Sequence, residues 1–487
     1  MGPAALAWMD LLHDAGQTWW QALPLGPTGY GNSPYQALSS FAGNALLVSP
    51  EFLIQDGFLQ RSDCEGTSFP TTRVDYDSVT AFKHRLLDRA WVNFSTGERQ
   101  DLRCAYEQFC NDHASWLDDY SLFCALKVRF KGGYYLEWPP ELIRREPRAL
   151  EKARREASQL FNQVRFAQFL LFRQAACLKQ YAHANGLRLI GDLPFFVSPD
   201  SSDVWANPHL FLLDEDQRPR FVAGVTPDSF SANGQLWGNP VYDWDAIRST
   251  GYRWCIDRFR ALLAHVDVIR LDHFFAFVAA WHVPASAPTA QTGEWVRGPG
   301  AEFFNAVQSE LDGLPFIAED LGVTTPEVSA LRDRFHIPGT RVLQLAFDGR
   351  SDNPHLPHNY VPNMVVYTGT HDNDTTRGWF ESLSDWQRHD LLSHVENANS
   401  EVAWELIRLA WSSPATLAIA PLQDLLNLGC DARMNVPGEV HNNWAWRCTE
   451  DMLAEKAFRW LRELTATTHR SREFQGVARD MVRKAAS

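Results

Sequence analysis

Residues 266–273 have the sequence Val-Asp-Val-Ile-Arg-Leu-Asp-His, a largely apolar run that ends in charged side chains. An apolar run bounded by polar residues predicts a buried strand, with Asp272 at its C-terminal end. Two segments downstream share this design: Ala318-Glu319-Asp320-Leu321-Gly322 after Phe316-Ile317, and Thr370-His371-Asp372-Asn373-Asp374 after Val365-Val366-Tyr367. One such acid would more often cap a loop. Three in order predict a catalytic rim, because a (β/α)₈ barrel gathers its catalytic groups at the C-terminal strand ends.

Strand-like runs alternate with helical windows along most of the chain. The predicted strands are residues 20–25, 187–190, 266–269, 316–318, 341–347, 364–368 and 417–420. The predicted helices include residues 6–15, 301–311, 326–335 and 385–397. Such alternation indicates βαβ units and a parallel sheet. The predicted fold class is therefore α/β, a TIM (β/α)₈ barrel with inserted, mainly helical subdomains.

The chain divides into three predicted segments. Residues 1–74 are expected to form the N-terminal part of the barrel with a substrate loop, and residues 75–175, which are charged and helical in pattern, an insertion subdomain. Residues 176–487 are expected to form the rest of the catalytic barrel, with a substrate-loop insertion at about 198–244. This polar insertion exceeds usual loop lengths, which indicates a function or a small subdomain.

Composition excludes several classes of protein. A formal net charge of −14 argues against a nucleic-acid partner, because phosphate contacts require clustered Lys and Arg. No apolar run approaches the length of a transmembrane helix, and no signal peptide is visible, so we expect no membrane partner. The eight cysteines have no metal-type spacing, so free thiols in the cytoplasm are expected. Of the 19 Trp residues, Trp205 and Trp237 lie in polar loops where a ring could stack on a sugar.

Five blocks resemble one family, the 4-α-glucanotransferases called amylomaltase or disproportionating enzyme, which are relatives of the α-amylases. The blocks are residues 20–44 (WQALPLGPTGYGNSPYQALSSFAGN), 191–194 (GDLP), 226–242 (TPDSFSANGQLWGNPVY), 353–360 (NPHLPHNY) and 421–446, which contains ARMNVPG. They follow the family's order over nearly the whole chain. The resemblance implies an enzyme that cuts an α-1,4-glucan and passes the segment to the 4-hydroxyl of another glucan or glucose. The implied partners are α-1,4-glucans, maltooligosaccharides and glucose.

Two alternatives stay open from the sequence. An α-1,4-glucan hydrolase of the α-amylase type would use the same acids with water as the acceptor. The second alternative is a glucan-binding protein without catalytic activity, and the presence of all three acids argues against it. The loop blocks at 226–242 and within 20–44 favour the transferase.

Retention of the α-configuration requires two displacements, and we predict Asp272 as the nucleophile of the first. Arg270 lies two residues earlier on the strand, on the same face, where it can keep Asp272 ionised. Glu319 is predicted as the general acid and then the general base, so it should begin protonated. Its neighbour Asp320 is expected to make a structural hydrogen bond below the site.

The resemblance implies further contacts with the substrate. Asp372 should hold sugar hydroxyls in the transition state, with help from His371 and His273. Asp192 is expected either to line the sugar pocket or to hold Arg270. Other implied substrate-binding residues lie in two loops: Tyr30 and Ser33 in the first, and Asp228, Gln235 and Trp237 in a flexible loop over the acceptor side.

One departure from the family pattern concerns Phe275. The family often has an Arg near this position, whereas this chain has Phe-Phe-Ala-Phe at residues 274–277. The acceptor side of the site is therefore expected to differ in detail. No metal or other cofactor is expected, because glycosyl transfer through carboxylates requires none.

A second departure concerns the start of the barrel. In the family a strand and a long loop precede the first helix, whereas here residue Met1 leads directly into it. Seven barrel strands can be counted instead of eight, so the first barrel strand is expected to be missing unless something else closes the barrel. Two open sheet edges would then leave backbone groups unpaired. We expect the 487-residue chain to be poorly soluble or unstable, and an upstream extension that restores a strand to rescue it.

Overall fold

The computed structural model describes residues 1–227, 231–322, 325–395 and 398–471. Its helices are α1 Pro3–Asp14, α2 Pro50–Gln55, α3 Tyr76–Thr96, α4 Gln100–Asp112, α5 Ala114–Arg129, α6 Pro140–Ile143, α7 Pro147–Glu156, α8 Ser158–Ala184, α9 Ser202–Ala206, α10 Trp244–Ser249, α11 Arg253–Leu263, α12 Gly300–Leu311, α13 Pro326–Arg334, α14 Thr376–Ser382, α15 Asp385–His394, α16 Ala398–Ser412, α17 Leu422–Leu425 and α18 Glu455–Thr467. Its strands are β1 Trp19–Gln21, β2 Arg188–Leu193, β3 Phe221–Val225, β4 Gln235–Pro240, β5 Val268–Leu271, β6 Ala279–Pro284, β7 Glu294–Arg297, β8 Phe316–Ala318, β9 Gly339–Val342, β10 Met364–Tyr367 and β11 Leu417–Ile419.

Seven strands are parallel to their neighbours, as the strand–helix alternation predicts. They form a four-stranded sheet, in the order β1-β2-β5-β8, and a three-stranded sheet, in the order β11-β10-β9. The register places Asp192 beside Arg270, and Leu271 beside Ala318. Because parallel strands end at the same edge, the residues that follow β2, β5 and β8 meet there.

The predicted closed barrel is not confirmed by the strand pairing, because β8 and β9 meet without a ladder. One backbone hydrogen bond joins the two segments, from the N–H of Ala318 to the carbonyl of Pro338 at 2.8 Å, and side chains add two more. Thr340 Oγ1 donates to the carbonyl of Ala318 at 2.8 Å, and the backbone N–H of Thr340 donates to the Asp320 carboxylate at 2.7 Å. The second contact confirms that Asp320 makes a structural hydrogen bond. The structure therefore establishes a mixed α/β fold.

Side chains alternate between the two faces of the parallel strands. One face forms an inner apolar cluster of Ile190, Ile317, Val342, Val365 and Tyr367. The opposite face packs against the surrounding helices, and Leu189, Leu271 and Phe316 belong to that larger outer core. The strands that carry the predicted acids are thus buried on both sides, which fixes the positions of their C-terminal ends.

An apolar cavity of about 1210 Å³ lies along the free edges of β1 and β11. Within the described residues, β1 pairs with β2 alone and β11 with β10 alone. The outer wall of the cavity includes Leu12 of α1 and Leu461 of α18, whereas Trp19 and Ala418 line it from the two strands.

The insertion predicted at about 198–244 contains two strands that the sequence did not reveal. Strands β3 and β4 join β6 and β7 in an antiparallel sheet of the order β4-β3-β6-β7. Gly224 and Pro240 interrupt the alternating pattern, and the ladder between β3 and β4 shifts register between Val222 and Gly224. The long insertion therefore contributes two strands to a four-stranded antiparallel sheet.

Residues 76–184 form the helices α3 to α8. Phe94 of α3 stacks on Phe166 of α8 at 4.5 Å between ring centroids, within a core separate from that of the strands. Helix α8 runs through residue 175, where the sequence placed a boundary, and its end leads into β2. Among the described residues, none of the helices is both long and apolar enough to cross a membrane.

Trp205 is not a sugar platform, and its prediction as one is wrong. The ring is completely buried, and its Nε1–H donates to the carbonyl of Leu142 at 2.9 Å. Arg145 lies over the ring at 4.3 Å from the centroid. The polar residues around Trp205 in the sequence do not indicate this burial. The short helix α9 directs the Trp205 ring into the core.

Candidate active site

Asp272, Arg270 and Asp192 form one network at the ends of β5 and β2. Arg270 Nη1 donates to Asp272 Oδ1 at 3.0 Å and to both carboxylate oxygens of Asp192 at 2.9 Å. The side chains of Arg270 and Asp192 are 6% and 0% exposed, whereas that of Asp272 is 27% exposed. A buried guanidinium requires such partners because its desolvation is costly. Asp192 thus fixes the position of Arg270, and Arg270 in turn orients the carboxylate of Asp272, which is partly exposed to solvent.

Glu319 reaches the same rim from β8. Its Oε2 accepts a hydrogen bond from the backbone N–H of His273 at 2.7 Å, and its Oε1 accepts one from Leu321 at 3.1 Å. Since His273 directly follows Asp272, this contact links the two predicted catalytic acids. His273 can direct its N–H this way because it adopts the left-handed conformation, with φ of 51°. Such a conformation in a residue other than glycine is often found at functional sites.

Burial raises the pKa of both acids. Burial, reinforced by the negative charge of Asp272, raises the pKa of Glu319 to about 8. Burial also raises the pKa of Asp272 to about 7, and the Arg270 guanidinium opposes that rise. Each carboxyl group therefore keeps its proton to a higher pH than a carboxyl group in water, and Arg270 favours the ionised form of Asp272.

Trp237 and His273 meet at the mouth of the site. Their rings pack edge to face, with 4.9 Å between centroids, and the indole N–H of Trp237 donates to Gln235 Oε1 at 3.2 Å. Burial lowers the pKa of His273 to about 4, so the imidazole is neutral near pH 7. Asp228, predicted for the same loop, lies outside the described residues.

Asp372 lies on the far side of the rim, after β10, and its side chain is half exposed. Asn435 Nδ2 donates to Asp372 Oδ1 at 2.6 Å, and Arg433 Nη2 donates to the carbonyl of Asp372 at 2.8 Å. His371 Nε2 lies 3.4 Å from Asp372 Oδ2, and burial lowers the pKa of this histidine. The sequence analysis assigned no role to Asn435 or Arg433, although both lie in the ARMNVPG block.

Tyr35 is a site residue that the sequence analysis missed. Its hydroxyl donates to Asp192 Oδ2 at 2.7 Å, and its ring stacks on His371 at 5.0 Å. Ser33, the predicted neighbour, instead caps a short helical turn, because its Oγ accepts from the backbone N–H of Tyr35 at 3.2 Å. Tyr30 is 75% exposed at the surface. The loop therefore brings Tyr35 to the acids, and Ser33 fixes the turn that positions it.

Within residues 1–227, 231–322, 325–395 and 398–471, no three His, Cys, Asp or Glu side chains are grouped as metal ligands. The buried acids are instead matched by Arg270 and by backbone N–H groups.

The chain is similar to known proteins over nearly its whole length. A family model described as 4-alpha-glucanotransferase matches residues 1–453. The 4-alpha-glucanotransferase of Synechocystis sp. is 47% identical over 460 residues, which cover 93% of this chain and 91% of the relative. That of Thermus thermophilus is 44% identical over 478 residues, covering 96% and 95%. The crystallised amylomaltase from Streptococcus agalactiae, in complex with acarbose, superposes with a TM-score of 0.93 at 35% identity, covering 96% and 95%.

The fold and these similarities define a glycosyl-transferring enzyme. The chain belongs to the 4-alpha-glucanotransferase family, since both the family model and these relatives span nearly all of it. The activity predicted from the sequence is thereby confirmed, in preference to the α-1,4-glucan hydrolase alternative.

Proposed function

We propose that this enzyme disproportionates α-1,4-glucans by a double displacement on Asp272, with Glu319 as the acid and base. The observation that supports it most is the link between the two acids. The N–H of His273, next to Asp272, donates to the Glu319 carboxylate at 2.7 Å. The two acids therefore share one rim, on neighbouring strands, and burial raises the pKa of each, to about 7 for Asp272 and to about 8 for Glu319.

In the first displacement, the Asp272 carboxylate attacks the anomeric carbon of the donor sugar and the glycosidic bond breaks. The proton of Glu319 goes to the departing 4-oxygen, so the leaving glucan departs with a free hydroxyl. The product on the enzyme is a glycosyl ester of Asp272. Arg270, at 3.0 Å from Asp272, opposes the rise in the pKa of the attacking carboxyl group and so favours its ionised form.

In the second displacement, the 4-hydroxyl of an acceptor glucan or glucose attacks the same carbon. Glu319, now ionised, takes the hydroxyl proton, and the bond to Asp272 breaks. Two inversions retain the α-configuration. Water in place of the sugar hydroxyl would give hydrolysis, so the ratio of the two products depends on how well an acceptor fills the site.

Asp372 and His371 are proposed to hold the hydroxyls of the sugar that reacts. Asn435 and Arg433 orient Asp372 through its Oδ1 and its carbonyl, which leaves the half-exposed carboxylate available to a ligand. Tyr35 is proposed to support this sugar from the opposite loop. A related amylomaltase has been crystallised with acarbose, a finding that favours a sugar ligand here as well.

Incubation with maltotriose tests the proposal. Disproportionation should give glucose and a ladder of longer maltooligosaccharides, with little change in the number of reducing ends. Shorter products alone, with a matching gain in reducing ends, would instead indicate an α-1,4-glucan hydrolase. Thin-layer chromatography and a reducing-sugar assay on one sample give both readings.

The Trp237→Ala variant should raise the ratio of hydrolysis to transfer. The Trp237 ring packs against His273 beside the nucleophile, so its removal opens the acceptor side to water. We expect weaker acceptor binding as well. The ratio is measured as reducing-end release divided by maltotriose disproportionation.

Trp237→Phe serves as the matched control, because it retains an aromatic ring but lacks the N–H that donates to Gln235. A ratio close to that of the parent enzyme is expected for it. An unchanged ratio in Trp237→Ala would exclude this role for Trp237.

We also propose that the parallel strands belong to an eight-stranded barrel, with the eighth position in the cavity between β1 and β11. The backbone N–H of Arg188 donates to the carbonyl of Thr18, and that of Ala22 donates to the carbonyl of Ile190, both towards β2. In a parallel ladder, alternate residues face opposite neighbours, so the backbone groups of Trp19 and Gln21 are directed towards the cavity. One added strand would pair with both edges.

An N-terminal extension that carries an alternating Val/Thr strand of about five residues should therefore raise the melting temperature by several degrees. The gain comes from new backbone hydrogen bonds and from apolar surface buried against α1 and α18. The control extension has Pro within the strand, which cannot donate to a ladder. Equal melting temperatures and equal transfer activity in both would show that the barrel is closed in another way.

The division into three segments and the cytoplasmic location are proposed from the sequence alone.

A further inference from the structure

An aromatic track leads from the catalytic centre onto the small antiparallel sheet. The His273 ring lies 6.5 Å from that of Phe275, and Phe275 lies 5.3 Å from Trp295. Trp295 lies in turn 5.3 Å from Trp281, its direct partner across β6 and β7. Trp237, on strand β4 of the same sheet, packs on His273 from the other side. The track therefore continues the acceptor side of the site outward.

Trp295 is exposed although its neighbours hold it in place. Its side chain is 51% exposed, whereas Phe275 and Trp281 are only partly buried beside it. The partly exposed rings of Phe275, Trp281 and Trp295 lie side by side, and a contiguous exposed apolar patch of this kind often marks a binding site. The exposure of Trp295 next to an active site is thus a functional signal.

The support beneath Trp295 is rigid. The indole N–H of Trp281 donates to the carbonyl of Ala290 at 2.9 Å, which fixes the ring against which Trp295 packs. Gly293 allows this arrangement, since a Cβ at Gly293 would lie 2.7 Å from the Trp281 ring. A fixed aromatic surface loses little conformational entropy when a ligand binds.

Phe275 is the connecting ring of the track, and it lies near the place where the family to which the chain belongs often has an Arg. An Arg there would interrupt the apolar surface between His273 and Trp295 with a charged group. With Phe, the surface from His273 to Trp295 is aromatic throughout, which suits the apolar face of a neutral sugar ring better than a charged ligand.

We propose that Phe275 and Trp295 form a remote acceptor subsite, which binds an outer glucose residue of an α-1,4-linked acceptor chain. This inference rests on the proposed transfer reaction. The subsite lies beyond the reacting sugar, so it acts on the choice of acceptor and not on the chemistry. Long acceptors gain a contact that glucose cannot reach.

The test uses one donor and acceptors of increasing length, from glucose to maltopentaose. In Trp295→Ala, the KM for maltotetraose and maltopentaose as acceptors should rise roughly tenfold. The KM for glucose as acceptor and the kcat should stay close to those of the parent enzyme. Phe275→Arg should likewise raise the KM for maltotetraose and maltopentaose as acceptors more than the KM for glucose.

Two controls separate binding from folding. Trp386→Ala removes a tryptophan of similar exposure, 56%, on the helix α15, and should leave the length profile unchanged. Trp295→Phe retains an aromatic face and should recover most of the affinity for long acceptors. A Trp295→Ala enzyme with an unchanged length profile would overturn the proposal, whether or not its melting temperature falls. If the parent enzyme transferred no glucan segment to glucose at all, that result would instead contradict the proposed function itself.

Discussion

The Asp272→Asn enzyme is expected to fold like the parent and to lose about 10⁴-fold or more in kcat for maltotriose disproportionation. Asn retains the size of the side chain but lacks the carboxylate that forms the covalent bond. The fold should survive because Arg270 retains its other partner, the buried carboxylate of Asp192, at 2.9 Å. Initial rates of glucose release give kcat, and circular dichroism gives the melting temperature.

Asp245→Asn is the matched control for this substitution. It makes the same chemical change at a carboxylate that is 92% exposed, on the helix α10, and should leave kcat unchanged. Retention of a tenth or more of the activity in a well-folded Asp272→Asn enzyme would remove Asp272 from the nucleophile's role.

The Glu319→Gln enzyme should lose roughly 10²- to 10⁴-fold in kcat and the alkaline limb of its pH profile. In the parent enzyme, activity falls as pH decreases through the pKa of Asp272, about 7, because the nucleophile gains a proton. It falls again as pH increases through the pKa of Glu319, about 8, because the general acid loses its proton. The parent profile is therefore a narrow bell whose limbs belong to the interacting pair.

An activated donor isolates the role of the proton. α-Maltosyl fluoride has a leaving group that departs without a general acid, so Glu319→Gln should form the glycosyl ester from it at a rate close to that of the parent. Glu327→Gln, a change at an exposed carboxylate of α13, should retain both limbs of the bell and full activity. An alkaline limb that persists in Glu319→Gln would assign the proton to another group.

The strand-end acids could be predicted because their signal is local. An apolar run determines a buried strand, and a carboxylate directly after it must emerge at the strand's end, as Asp272 after β5 and Glu319 after β8 do. The same reasoning placed Arg270 correctly, since residues two apart on a strand share a face.

Tyr35 and Asn435 could not be found in this way, because their roles depend on contacts across the chain. Tyr35 meets Asp192, which is 157 positions away, and Asn435 meets Asp372, which is 63 positions away. Sequence context also misled for Trp205, because its polar neighbours Ser202 and Asp203 suggest an exposed loop although they are buried together with its ring.

The pairing of the strands was likewise beyond local reasoning. The sequence predicts strands β8 and β9 but not that the Asp320 carboxylate and the Thr340 hydroxyl replace the ladder between them. Similarly, β3 and β4 are interrupted by Gly and Pro, and they become strands only through pairing with β6 and one another. Tertiary contacts decide such segments.

Covalent trapping tests the central claim most directly. A fluorinated maltosyl fluoride slows both displacements but retains a good leaving group, so the glycosyl-enzyme ester accumulates. After proteolysis, mass spectrometry should find the added maltosyl mass on the peptide that contains Asp272, and fragmentation should assign it to that side chain. A label on Glu319 or Asp372 instead would contradict the assignment of the nucleophile.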